Sequence, residues 1–201
     1  MKLPEDYIES MRQLLGEEEL QNYLDCFDAS RTYGLRVNTG KISVETFLKR
    51  TPFHLTPVPW VENGFYYDPE EGVTKHPDYY AGLYYIQEPS AMVPASRLPI
   101  EEGDRVLDLC AAPGGKSTQL ASALQGQGLL VANEIHPARA KILSQNIERM
   151  GVRNALVTNE TPQSLALRFP AFFDRIIVDA PCSGEGMFFK EEQALIHWSP
   201  E

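Results

Sequence analysis

Four short apolar runs follow Gly103: Val106 to Leu109, Gly128 to Ala132, Leu156-Val157 and Phe173 to Val178. Runs of this length read as strands, and strands alternating with helices imply a parallel sheet with helices on both faces. Ser117 to Leu124 reads as one intervening helix. Pro137 sits where another begins and Gly151 just past its end, the positions these two residues favour. Ligands of such sheets bind beyond the carboxyl ends of the strands, where the strand order reverses. Asp108, Glu134 and Asp179 fall at those ends. The run Phe173 to Val178 is expected to be a buried strand.

The first hundred residues follow another pattern. Residues 1 to about 28 read as helical, with Pro4 as a start and apolar residues at Ile8, Met11, Leu14 and Leu15. The acidic run Glu17 to Glu19 is either a solvated face or the start of the next helix. Leu35 to Asn38 is a strand candidate. Residues 51 to 85 carry many Pro, Gly and aromatic residues, Trp60 and Tyr79 among them, so short strands and turns are expected there. These aromatics either stack bases or fill a small core. The division expected is an N-terminal α+β domain over 1–95, with possible RNA contact, and a Rossmann-like α/β domain over 96–201.

The net charge of −10 argues by itself against a nucleic-acid surface, because neutralising phosphates needs Lys and Arg. A basic region elsewhere would answer that objection. No apolar run approaches the ~18 residues of a membrane span. The three cysteines, Cys26, Cys110 and Cys182, are odd in number and widely spaced, which points to a reducing compartment and hence the cytoplasm. No His pairs with a Cys at zinc-ligand spacing, so no metal is expected. Cys26 is expected in a core, and Cys110 in packing or against a cofactor.

The loop Asp108-Leu109-Cys110-Ala111-Ala112-Pro113-Gly114-Gly115-Lys116 is the first chemical motif. Its end, Gly115-Lys116-Ser117, matches a phosphate-binding P-loop, but Cys110 stands where that motif needs its first glycine. Pro113 also removes a backbone donor. The Gly-x-Gly-x-x-Gly spacing is absent. What remains is a glycine turn that lets the backbone approach a ligand, before a helix N-terminus that suits a carboxylate. S-adenosylmethionine carries a carboxylate, an ammonium and a ribose, and Glu134 is placed to accept from both ribose hydroxyls.

The second motif is Asp179-Ala180-Pro181-Cys182. Cytosine C5 is a poor nucleophile. A thiolate added at C6 makes it enamine-like, so that C5 can take a methyl group before a base removes the C5 proton and the thiolate leaves. That chemistry needs a cysteine and a nearby acid or base; methylation of an exocyclic amine needs no thiol. Ser183 to Gly186 read as a polar, flexible loop, so Cys182 is expected to be exposed.

Together with Gly34-Leu35-Arg36-Val37-Asn38, Tyr85 to Met92 and Asp179 to Gly186, these motifs resemble the bacterial rRNA cytosine-C5 methyltransferases of the Nop/Sun family. The resemblance implies that Cys110, Ala111, Ala112, Pro113, Gly114, Gly115 and Lys116 wrap the methionine and ribose of S-adenosylmethionine. It implies Glu134 on the ribose, and Arg139 and Asp179 near the cofactor and target base. Glu160 stands where the family has an Asp near the adenine. The family's attacking thiolate comes from a later Thr-Cys motif, whereas Cys182 corresponds to a cysteine that helps release product. DNA cytosine methyltransferases instead attack with the Pro-Cys thiol. The chain reads as an N-terminal fragment lacking that nucleophile and the RNA-binding region, of an enzyme acting on 16S rRNA. The alternatives are a non-catalytic module that binds S-adenosylmethionine or RNA, and a P-loop nucleotidase.

Overall fold

The computed structural model describes residues 3–182, 184–188, 195–196 and 198–199. The chain divides into two compact units, Met1–Arg31 with Pro181–Glu201, and Thr32–Ala180.

In the first unit α1 (Glu5–Asp25) is interrupted at Gly16, whose φ of 77° and ψ of 168° are not helical. The acidic run thus starts a second helical segment. Leu3, Tyr7 and Phe188 form a small core with Ile8, Met11, Leu195 and Trp198 against it. Tyr7 and Tyr23 share a hydroxyl hydrogen bond, and burial first, then that bond, raises the Tyr7 phenol above its ordinary pKa. Cys26 does not reach a core. It is exposed at the helix end, and its thiol turns back to the Asn22 carbonyl at 3.3 Å. The expected flexible loop contains a short 3-10 turn, Glu185–Met187; Ser183 lies outside the described residues.

The second unit holds two four-stranded sheets. The smaller is antiparallel: β1 (Gly34–Val37), β2 (Thr56–Pro57), β3 (Gly64–Tyr66) and β4 (Tyr84–Ile86), in the order β2-β3-β1-β4. Leu35, Val37, Phe47, Phe65 and Tyr84 pack its core with α2 (Val44–Arg50); two short helices, α3 (Pro77–Tyr80) and α4 (Val93–Arg97), flank β4 in sequence. The aromatics split between roles: Tyr84 is buried, while Trp60 and Tyr80 remain exposed.

The larger sheet is parallel: β5 (Arg105–Asp108), β6 (Leu129–Asn133), β7 (Ala155–Thr158) and β8 (Arg175–Ile177), in the order β7-β6-β5-β8. After β7 the chain crosses to the other side of β5, so the order reverses at β5 and β8. One sheet face carries Val106, Leu130 and Ala132 against α5 (Gly115–Ala123) and α6 (Pro137–Met150). The opposite face carries Leu107 and Val131 against Leu165 of α7 (Pro162–Arg168). Buried Ala140, Leu143, Ile147 and Met150 recur along one stripe of α6. The fold is therefore a Rossmann-like α/β sheet preceded in sequence by a small antiparallel one. Contrary to expectation, β8 is not buried throughout. It pairs with β5 alone among the described strands, and Ile176 and Val178 are about half exposed while Ile177 is buried.

The two sheets of this unit are joined by polar side chains from the end of β1. Arg36 is fully buried. Its Nε donates to Gln87 Oε1 at 3.0 Å, and its Nη2 to the Gly115 carbonyl at 3.1 Å and Thr118 Oγ1 at 2.8 Å. Burial lowers its pKa to about 10, so it keeps its charge at neutral pH. Asn38 Nδ2 donates to the Gly82 and Met150 carbonyls at 2.8 and 2.9 Å. Lys41 Nζ caps the end of α6 through the Arg149 carbonyl at 2.9 Å. Gly82 has φ +67°, and a Cβ there would lie 2.1 Å from the Arg149 carbonyl oxygen, so only glycine fits.

Replacing Arg36 with Ala should leave Gln87 Oε1 unsatisfied beside a buried cavity. The expected loss is about 3 kcal/mol of stability, read from urea unfolding. Lys should not restore it, because one ammonium cannot reproduce the guanidinium fork. A loss under about 1 kcal/mol would remove Arg36 from this role.

Candidate cofactor site

The site gathers at the carboxyl ends of β5, β6 and β8. Asp108 closes β5 and is fully buried. Its Oδ2 accepts from Ser117 Oγ at 2.7 Å, while Oδ1 is left without a hydrogen bond. Burial raises its pKa to about 6, against smaller opposing effects of the Ser117 hydroxyl, Lys116 and the Cys110 amide. Removing a carboxylate from water without a direct cation produces this direction.

Asn133, the last residue of β6, organises the loop ends. Its Nδ2 donates to the Leu109 and Glu160 carbonyls at 3.2 and 3.0 Å, and its Oδ1 accepts from the Glu160 amide at 3.1 Å. Its carbonyl takes the Ala111 amide at 2.7 Å. Further along the loop, the Ala112 carbonyl accepts from Arg139 Nη2 at 2.9 Å and the Pro113 carbonyl from Asn146 Nδ2 at 2.8 Å. Ala111 and Ala112 are buried. The loop is thus tied down by its carbonyls, while α5's first-turn amides are the groups a helix leaves unsatisfied.

Gly114 has φ 115°, a conformation that side chains rarely adopt, and a Cβ there would meet Leu143 at 3.2 Å. At Gly115 a Cβ would meet Gln87 Nε2 at 3.2 Å. The space that each missing Cβ leaves is therefore filled by protein. These contacts require both glycines for packing.

Glu134 is buried rather than a surface charge. Its Oε1 accepts from the His136 amide at 3.0 Å. Its Oε2 lies 3.3 Å from Arg139 Nη1 and makes no hydrogen bond. Arg139 therefore joins Glu134 to the loop. Lys116 Nζ donates to Asp179 Oδ2 at 2.6 Å, which ties the start of α5 to the end of β8. The Glu160 carboxylate turns to α7, accepting from Ser164 Oγ at 2.8 Å with Arg168 at 3.3 Å. Cys110 is half-buried, and burial, then Glu134, Asp108 and Asp179, raise its thiol pKa, which suppresses the thiolate. Cys182 is exposed and belongs to the first unit.

The loop Cys110 to Lys116, Glu134, Arg139 and Asp179 thus form one connected group. Glu160 joins through its backbone. Sequence reasoning missed Asn133 and Asn159, whose Nδ2 holds the Glu134 carbonyl at 2.6 Å. Their signal was an asparagine at the end of each of two neighbouring apolar strands. It also gave Asp108 no ligand role, although the strand end marked it.

Residues 95–201 match the family described as 16S rRNA methyltransferase RsmB/F. The chain belongs to this family. Residues 3–89 match the N-terminal domain of 16S rRNA methyltransferase RsmF. The family's members include proteins named Ribosomal RNA small subunit methyltransferase F. That of Vibrio cholerae (strain ATCC 39315 / El Tor Inaba N16961) is 42% identical over 210 aligned positions, covering 100% of this chain and 44% of that protein. That of Pectobacterium carotovorum is 39% identical, covering 99% of this chain and 43% of that protein. The chain therefore spans less than half the length of these relatives. A methyltransferase homologue from Pyrococcus horikoshii is 34% identical with a TM-score of 0.77, over 90% of this chain and 60% of that one. NSun6 from the same organism, solved with SFG, has a TM-score of 0.76 at 21% identity, over 90% and 71%, and shares the fold. No helix among the described residues is long and apolar enough to cross a membrane.

The raised Asp108 pKa has a defined sign. The folded state binds the proton more tightly than the unfolded chain, so stability falls as pH rises through the window from about 4 to 6. Asp108→Asn should abolish this dependence. The variant should exceed wild type at pH 7 by on the order of 3 kcal/mol, with the difference vanishing near pH 4. Denaturant titrations across that range read it, and a pH-independent difference would contradict the assignment.

Proposed function

We propose that the protein containing this chain methylates C5 of cytosine in RNA, in small-subunit ribosomal RNA, with S-adenosylmethionine as methyl donor. The observation that carries this reading is the pair of buried carboxylate oxygens without hydrogen bonds, Asp108 Oδ1 and Glu134 Oε2, flanking a tied glycine loop. Buried acceptors are normally satisfied, and a ligand with an ammonium and a ribose diol supplies the missing donors. The residues present therefore fit this cofactor. Family membership adds the chemical class.

When bound, S-adenosylmethionine supplies an electrophilic sulfonium methyl group. Glu134 accepts from the ribose hydroxyls, held in position by Arg139 and the His136 amide. Cys110, Ala111, Ala112, Pro113, Gly114, Gly115 and Lys116 wall the methionine and ribose, with α5's N-terminus toward the carboxylate. Asp108 faces the ammonium. The Asn159-Glu160 segment lies beside the adenine, with the Glu160 carboxylate kept by Ser164 and Arg168. Asp179 is exposed and oriented by Lys116, which suits contact with the target base and handling of its proton. Burial and the neighbouring carboxylates raise the Cys110 pKa, which works against a role as nucleophile. Cys182 is an exposed thiol three residues after Asp179, assigned to product release after attack by another cysteine of the whole protein. The segment 1–95 is a candidate RNA contact, and the substrate places the protein in the cytoplasm.

Two variants test this reading. Glu134→Gln should weaken S-adenosylhomocysteine binding by about 10- to 100-fold, since a charged acceptor to the ribose is lost. Unchanged affinity by calorimetry would remove Glu134 from the ribose. In the full-length enzyme, Cys182→Ala should accumulate a covalent protein–RNA adduct, visible as a slow band on a denaturing gel. Its absence alongside lost turnover would move Cys182 to another step.

A further inference from the structure

A cavity of about 560 Å³ lies beside the other end of α5, lined among others by Trp60, Glu62, Arg97, Gln119 and Ser122. A second, smaller cavity of about 280 Å³ shares the lining residues Ile100, Ala123 and Gln125 with this trough. None of these residues belongs to the cofactor site. Gln119 is 8% exposed. Its Nε2 is fixed by the Met92 carbonyl at 2.9 Å, while its Oε1 is buried with no hydrogen bond. A buried amide oxygen left without a donor needs an explanation, and a donor arriving through the trough provides one.

Trp60 supplies a second feature. Its Nε1 donates to the Pro89 carbonyl at 3.0 Å, and its ring stands edge-on to Tyr66, so the indole is held in place. It nevertheless stays 38% exposed. A fixed, open aromatic face is what base stacking uses. Glu62 is an exposed acceptor on the same lining, and Arg97 is an exposed cation with no ion-pair partner among the described residues. Two acceptors and an aromatic face suit a base whose edge donates twice. Guanine, with N1–H and N2–H side by side, has that edge, whereas uracil offers one donor.

We propose that this trough binds an unpaired guanine of the RNA substrate, stacked on Trp60, donating to Gln119 Oε1 and Glu62, with Arg97 on the adjoining phosphate. The assignment rests on the RNA reading above and deepens it, separating the pocket that reads a flanking base from the site of methyl transfer.

The test is fluorescence anisotropy of end-labelled hexaribonucleotides, all-uridine or with one central guanosine, on the full-length protein and its variants. The guanosine oligomer should bind at least tenfold tighter. Gln119→Leu, close to Gln in size, should erase that preference, while Arg97→Ala should weaken both oligomers equally. S-adenosylhomocysteine affinity, measured in parallel, should be unchanged in both variants. Equal binding of the two oligomers, or a preference that survives Gln119→Leu, overturns the pocket assignment. Absence of S-adenosylhomocysteine binding by the wild type overturns the methyltransferase reading instead, and a guanosine preference lost in Gln119→Leu would stand without it.

Discussion

The buried guanidinium of Arg36 is the constraint on which the second unit depends. Taking such a group out of water costs several kcal/mol unless hydrogen bonds replace the lost solvation. Its partners are Gln87, which follows β4, and the first turn of α5. The small sheet therefore cannot shift without breaking bonds to the helix that begins the cofactor loop. Gly115 lacks the Cβ that would meet Gln87, and Gly82 lacks the one that would meet the end of α6. The antiparallel sheet thus holds the loop in place while supplying none of the groups assigned to the cofactor.

Within that frame, charges near the loop are mostly matched in pairs. Arg139 sits beside Glu134, Lys116 beside Asp179 and Arg168 beside Glu160. Asp179 is more than half exposed, so its pair contributes little to stability and serves to orient the carboxylate. Asp108 is the exception: buried, paired only with a hydroxyl, and raised in pKa. A group that destabilises the ligand-free fold yet lies at a strand end follows the usual trade between stability and function.

Much of this was legible in the chain. The strand-and-helix alternation, Pro137 at a helix start and Gly151 past its end match the structure within one or two residues, because sheet and helix periods show in apolar spacing. The departures have separate physical causes. Phe173 to Val178 reads as buried because it is apolar on both faces, but a strand paired on one side leaves Ile176 and Val178 half open. With seven residues, α7 is too short to display a period. Cys26 lies just past a helix whose stripe is broken at Gly16, so extrapolating the stripe misplaced it. Arg36, Asn133 and Gln119 are polar residues in or near apolar runs, and their meaning lies in partners distant in sequence. Gly114 and Gly115 were identified as special, but whether a missing Cβ faces ligand or protein depends on Leu143 and Gln87.

The net charge of −10 is at odds with an RNA ligand only if affinity must come from phosphates. Ion pairs around the loop, such as Lys116 with Asp179, cancel locally and leave the excess of ten acidic side chains as it is. Arg105 with Asp174 continues the same pattern at the other end of β5. The proposed guanine pocket relies on a fixed indole and an amide oxygen without a hydrogen bond, features that would act on bases more than on backbone charge. A surface of that kind favours unpaired RNA, whose bases can turn outward, over a duplex that presents chiefly phosphates. It also reconciles an acidic chain with membership in an RNA-methylating family: this part of the protein would select which base is presented, and attraction to the polyanion need not arise here.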